Sequence, residues 1–260
     1  MVKIGSKTIT HIYQGSNLIT DDSSNTKDIK LGNKPVNFVY QGNNILHPTP
    51  IKDGLILWYD FKGMKNNDVS KGIARDLSGN DNNGTLNNFA YTSDSGYNNG
   101  LKFDGVDDYY QTNNDIQRTS KLITICVSAY MPDKETNWQY LLALTDGNGK
   151  KISIIQHWGR PDVFINDLTN NKHNYFESNL EKYHLVFTLD GKNLKAYING
   201  ISTIPTETID INTFTNNLKI EKPSYSRMKG TLYSLKIYDK ILTDQEIQQN
   251  YQIEKERWGL

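Results

Sequence analysis

The chain is short of several features that would direct a first reading. One cysteine, Cys126, among 260 residues excludes an internal disulfide and gives no basis for a multi-cysteine metal centre. Lys plus Arg and Asp plus Glu balance at 29 each, so no net field favours nucleic acid or an anionic membrane. No run of some eighteen apolar residues occurs, and the opening MVKIGSKTIT lacks the apolar stretch of a secretory signal. These absences predict no nucleic-acid partner, no membrane insertion and no Sec-type leader. Delivery outside a cell then needs another route, such as lysis.

What is present is tyrosine, 16 residues of it, together with recurring Asn-Gly, Asp-Gly and Gly-Asn pairs. That composition favours many short strands joined by tight turns. Near the start, VKIGSKTITHIYQGSNLI (Val2 to Ile19) aligns with IKLGNKPVNFVYQGNNIL (Ile29 to Leu46), an offset of about 27 residues that marks a repeated unit. Lys3, Gly5, Lys7, Tyr13, Gln14, Gly15 and Asn17 recur as Lys30, Gly32, Lys34, Tyr40, Gln41, Gly42 and Asn44. Each unit reads as a short β-hairpin. Two such units bury little by themselves, which predicts docking on a neighbour or on another copy of the chain. The expected organisation is a repeated β segment over residues 1–48 and a linker over 49–53, the latter carrying part of HPTPIKDG. A β domain over 54–242 and a final helix over 243–260 complete it.

Beyond the linker, apolar-periodic runs alternate with turn clusters: GLILWYDF, GLKFDG, LITICVSAYMP, YLLALTD, KISIIQH, DVFIND, YHLVFTLD, LKAYING, NLKIEK and TLYSLKIYD. Strands at this spacing indicate an all-β sandwich or jelly roll. Cys126 falls within one of these runs, where a packed thiol is expected. Trp58 sits in a strand pattern and is expected in the core. Thr243-Asp244-Gln245-Glu246 has the capping-box signature and opens a polar helix to about Arg257. Ile247 and Tyr251, one turn apart, are expected to pack it on the sandwich.

In this order, GLILWYDFKG, RDLSGNDNNGTL, GLKFDGVDDYYQ, ITICVSAYMP, EKYHLVFTLDGKNLKAYINGI and KGTLYSLKIYDKILTDQEI resemble the laminin-G-like members of the concanavalin A-like lectin/glucanase superfamily. The resemblance covers roughly Lys52 to Tyr251 and implies a two-sheet antiparallel jelly roll. The first fifty residues are instead similar to short repeated strands placed ahead of such domains in phage virion proteins. Together these likenesses imply a non-enzymatic virion structural or decoration protein, a homo-oligomer held to other virion proteins through residues 1–48. It would assemble in the host cytoplasm, become extracellular after lysis, and display its β domain to host or mucosal glycans. The alternatives are a carbohydrate-binding module of a secreted bacterial surface protein and a glucanase-like hydrolase.

Candidate ligand contacts are the loop aromatics that strand alternation does not explain: Trp138, Trp158 and Tyr225. Arg160 stands near Trp158 as a partner for an acidic sugar. Aromatic faces stack on sugar C–H patches, which is why rings outside the core draw attention. Calcium is the candidate cofactor, with Asp76, Asn80, Asp104 and Asp107 as oxygen donors. In the resemblance Phe-Asp-Gly-x-Asp-Asp-Tyr closes one strand and starts the next, so these aspartates are first of all turn residues. The family's frequent Asp-Glu pair on the penultimate strand is Tyr233-Ser234 here, which removes two metal donors. No Glu-x-Asp-x-x-Glu run of the superfamily glucanases occurs, and His157, His173 and His184 are scattered in sequence. No catalytic residue is therefore assigned.

Overall fold

The computed structural model describes residues 50–134, 138–166, 171–176, 178, 180–191, 193–203, 214–223 and 228–260, with backbone alone at Asn174 and in short strands before residue 48. Met1–Pro50 and Ile51–Leu260 are separate units.

Among the described residues of the first unit, four two-stranded antiparallel hairpins follow one another. They are β1 (Val2–Ile4) with β2 (Lys7–Ile9), β3 (His11–Gln14) with β4 (Asn17–Asp21), β5 (Lys30–Leu31) with β6 (Lys34–Pro35), and β7 (Val39–Gln41) with β8 (Asn44–His47). Each sequence repeat therefore holds two hairpins, where one was expected. The repeat extends to register: Gln14 faces Asn17 as Gln41 faces Asn44, and the pairing slips just before Tyr13 and just before Tyr40.

The second unit comprises β9 (Leu55–Asp60), β10 (Ile73–Ala74), β11 (Gly84–Asn87), β12 (Gly96–Tyr97), β13 (Leu101–Asp104), β14 (Tyr109–Thr112), β15 (Ile116–Gln117), β16 (Ile123–Tyr130) and β17 (Gln139–Asp146). It continues with β18 (Lys151–His157), β19 (Arg160–Asn166), β20 (Asn171–Tyr175), β21 (Lys182–Leu189), β22 (Leu194–Ile198), β23 (Ile201–Thr203), β24 (Asn217–Ile220), β25 (Lys229–Tyr238) and the helix α1 (Asp244–Trp258). All strand pairs among the described residues are antiparallel. One sheet runs β12-β13-β25-β16-β21-β22-β23, with β9 also paired to β25; the second runs β15-β24-β17-β18-β19-β20; β10-β11-β14 form a small third sheet. This is an antiparallel β-sandwich with one C-terminal helix among the described residues, the all-β class the sequence predicts.

Period-two alternation sorts the side chains. Ile123, Ile125, Val127 and Ala129 of β16 meet Ile152 and Ile154 of β18 and Val163 and Ile165 of β19 in one continuous core. Asn199 (φ 51) and Gly200 (φ 77) turn the β22–β23 hairpin, the two positive φ values a type I′ turn requires.

The alternate residues of the larger sheet face away from this core and are covered by α1. Thr243 caps the helix, and its hydroxyl accepts from the Glu246 amide while Glu246 accepts from the Thr243 amide. Ile247 is fully buried as expected, whereas Tyr251 is only half-buried and stacks 6.2 Å from the His184 ring. The buried turn positions are instead Asn250, Ile253, Glu254 and Trp258. Trp58 also departs from expectation, since it lies outside the main core. It points to the helix-covered face, partly buried, with the ammonium groups of Lys52 and Lys236 4.0 and 5.5 Å from its ring.

On that face the register places His184, Ser128 and Ser234 side by side on β21, β16 and β25. The Glu254 carboxylate of α1 accepts from Ser128 (2.9 Å), Ser234 (2.6 Å) and the Lys236 ammonium. His184 Nδ1 lies 2.8 Å from the Ser128 hydroxyl. Ser, His and Glu thus meet, but in the order His–Ser–Glu: Ser128 donates directly to the carboxylate with no imidazole between them, unlike a hydrolase triad, and all three are buried. The network joins helix to sheet and has no access for a substrate.

Candidate functional site

Among the described residues, no such helix covers the outer face of the six-stranded sheet. Register lays its outward side chains in rows. His157 faces Arg160; Tyr140, Ile155, Asp162 and Tyr175 form a second row; Ala143, Ser153, Phe164 and His173 a third; Thr145, Lys151 and Asn166 a fourth. Ala143 and Ser153 are small and adjacent, so the third row leaves a depression between larger neighbours. A groove of about 340 Å³ occupies it, bordered by Tyr140, Phe164, Lys151 and Lys222, at the lower end of the range for small-ligand sites. At its floor the Ser153 hydroxyl is buried and has no hydrogen-bond partner.

One edge of the groove rises into an aromatic platform. Phe164 stands 6.1 Å from Trp138 and 4.7 Å from His173, and His173 stacks on Tyr175 at 5.4 Å with planes 4° apart. His157 stacks on Tyr175 at 5.2 Å and lies 4.6 Å from Trp138. The Arg160 guanidinium sits 5.1 Å over the Tyr175 ring. Burial, followed by the charges of His173 and Arg160, lowers the His157 pKa and favours its neutral ring. His173 meets Asp162 through a 2.7 Å contact.

Two tryptophans are held here by unusual backbone. Trp158 (φ 52) and Gly159 (φ 74) form the two-residue turn between His157 and Arg160, and Trp138 has φ 59. A left-handed conformation costs a non-glycine residue about 1–2 kcal/mol, and a bulky one is a true outlier there. At the turn tip Trp158 remains 57% exposed. The left-handed turn thus holds the indole toward solvent.

Of the residues expected from sequence, Trp138, Trp158 and Arg160 gather on this platform, while Tyr225 lies outside the described residues. His157, Phe164, His173, Tyr175 and Ser153 were not foreseen. They come from three strands, β18, β19 and β20, and only sheet register assembles them.

The expected calcium donors fall into two groups. Asp104, Asp107 and Asp108 bring one carboxylate oxygen each within 4.8 Å of one another. Asp104 accepts from the Val106 amide, Asp107 from Asn88, and Asp108 from Ser95 and the Asp104 amide, so each is also a turn or edge residue. Burial, offset in part by those donors, raises the Asp108 pKa to about 6. Asp76 belongs to a separate loop clasp. Its carboxylate accepts from the Trp58, Ser78 and Asn82 amides and from the Ser78 hydroxyl. The Asn80 amide donates to the Leu55 carbonyl. Four protein donors thus occupy Asp76, leaving little oxygen for an ion.

A laminin G-like family model, described as the concanavalin A-like lectin/glucanases superfamily, matches residues 104–248. The chain belongs to this superfamily. No curated protein matches it. Among solved structures, Trypanosoma rangeli sialidase in complex with sialic acid is similar at TM-score 0.57 and 13% identity, over 85% of this chain and 36% of the sialidase. Domain 4 of AbnA, an extracellular arabinanase from Geobacillus stearothermophilus in complex with arabinotriose, is similar at TM-score 0.52 and 20% identity, over 76% of this chain and 98% of that domain. The botulinum neurotoxin serotype D binding domain gives TM-score 0.55 and 16% identity, over 78% of this chain and 52% of that one. The chain spans only about a third of the sialidases it resembles. At these identities the likeness is one of fold. Nothing in the comparisons supports a phage origin.

Proposed function

We propose that the Ile51–Leu260 unit is a non-catalytic glycan-binding module whose ligand lies across the open outer face of the six-stranded sheet. The observation that carries this reading is Trp158, exposed at a tight turn in left-handed backbone beside stacked Trp138, His157, His173 and Tyr175. Aromatic faces in this arrangement suit the C–H faces of sugar rings. The arabinotriose-bound fold relative supports the ligand class. A hydrolytic reading has less support: the groove border holds no carboxylate among the described residues, and a glycosidase of the usual kind requires two flanking the bond.

Calorimetric titration of the full chain against a panel of neutral and acidic oligosaccharides tests the reading. Binding weakened about tenfold by Trp158→Ala is expected, on the scale of one lost aromatic contact. Failure of the whole panel to bind would overturn it.

For the first unit we infer attachment, to a partner or to further copies of the chain, from its four two-stranded hairpins, since a lone hairpin is marginal in water. Light scattering of the full chain is expected to show an oligomer that removal of residues 1–50 abolishes. A monomer before and after truncation would contradict self-assembly.

A further inference from the structure

We propose that the groove beside the aromatic platform is a subsite for the anionic group, carboxylate or sulfate ester, of an acidic glycan. The inference rests on the glycan-binding reading and adds the charge class of the ligand. Three observations converge on it.

The first is charge. Among the described residues Lys151 and Lys222 border the groove, no Asp or Glu does, and neither lysine has a carboxylate partner. In a chain whose formal charges cancel, two such ammonium groups at one depression are a local excess. Lys222 is held in place by the Tyr109 ring, 5.0 Å from its ammonium.

The second is the buried hydroxyl. Ser153 is 1% exposed, and alternation with Ile152 and Ile154 turns it away from the core and into the groove. Its unpartnered oxygen carries an uncompensated desolvation cost. A hydroxyl can donate to an anionic oxygen, and such charge-assisted bonds are roughly twice as strong as neutral ones.

The third is continuity. Phe164 borders the groove and also contacts Trp138 and His173. A sugar ring stacked on the platform can therefore place a substituent of its neighbour at Lys151 and Ser153. Phe164 sits between the two halves and is shared by both.

The test is isothermal titration of the full chain with matched pairs: trigalacturonate against its methyl ester, 3′-sialyllactose against lactose, and a sulfated heparin tetrasaccharide against its desulfated form. Expected is at least one acidic member bound tenfold or more above its neutral partner, with affinity falling as salt rises. The pair that shows it distinguishes carboxylate from sulfate. Lys151→Gln and Lys222→Gln should each remove most of that preference, and Ser153→Ala a smaller part, while Trp158→Ala weakens acidic and neutral ligands alike. Equal binding of acidic and neutral members, unaffected by the lysine variants, would overturn the anionic subsite and leave the glycan reading standing. Binding of none would overturn both.

Discussion

His173 Nδ1 lies 2.7 Å from the Asp162 carboxylate, whose side chain is fully buried while the imidazole is 24% exposed. The contact joins adjacent strands diagonally, because Asp162 faces Tyr175 and His173 faces Phe164 in register. It fixes the ring on which Tyr175 stacks and so holds one edge of the platform. Asp162→Ala removes that anchor, and the expected costs are about 1–3 kcal/mol of stability and a severalfold loss of glycan affinity. Denaturant unfolding and calorimetry measure the two. Unchanged affinity would show that the imidazole needs no orienting partner.

The Glu254–Lys236 pair, each side chain 1% exposed, is a fully buried polar tie between α1 and the larger sheet. Removing one partner of such a pair strands a buried charge and costs about 3–5 kcal/mol, whereas a well-packed apolar pair is often neutral. Glu254→Leu and Lys236→Met should therefore each be strongly destabilising and the double variant markedly less so. Simple addition in the double variant would contradict the coupling.

Acidification should destabilise the fold in two stages. Burial first, with Lys236 adding and Glu254 opposing, lowers the His184 pKa from 6.5 to about 4. The folded state then binds fewer protons than the unfolded one across that window, and stability is lost as pH falls through it. Glu254 follows. Burial alone would raise its pKa, but Lys236, His184 and the Lys236 and Ser234 hydrogen bonds bring it from 4.5 to about 2, so its contribution is present above 4.5 and lost toward 2. Asp108, raised from 3.8 to about 6, acts in the opposite sense over nearly the same window and offsets most of the first stage in the unmodified chain. In an Asp108→Asn background thermal melts should therefore show Tm falling from pH 6.5 to 4, and adding His184→Asn should flatten the decline. A flat profile in Asp108→Asn with His184 intact would contradict the assignment.

Burial also pushes the Cys126 thiol up to about 12, with the residue 1% exposed. An aromatic disulfide reagent should leave it unmodified in the native chain and label it once in denaturant. Rapid native labelling would show that the helix-covered face opens.

The longer strands were legible because turn pairs such as Asn199-Gly200 and alternating runs such as Leu55, Leu57 and Tyr59 carry their own punctuation. The site was legible only in part. Trp138, Trp158 and Arg160 stood out as loop residues, but KISIIQH conceals its faces: Ile152, Ile154 and Ile155 all read as core, and Ile155 lies on the outer face. The histidines looked scattered because register is not written in linear order, yet His157 and His173 lie 6.0 Å apart. Lys236 and Glu254 gave no signal, since a charged pair on two surface-like elements looks solvated until one covers the other.

The most direct test of the central claim is a crystal or NMR map of the full chain with the tightest-binding oligosaccharide from the titration panel. The account predicts a sugar ring against Trp158, Trp138 and Tyr175, with its neighbour entering the groove over Ser153. A ligand bound at the Asp104–Asp108 edge, or on the face covered by the helix, would contradict it.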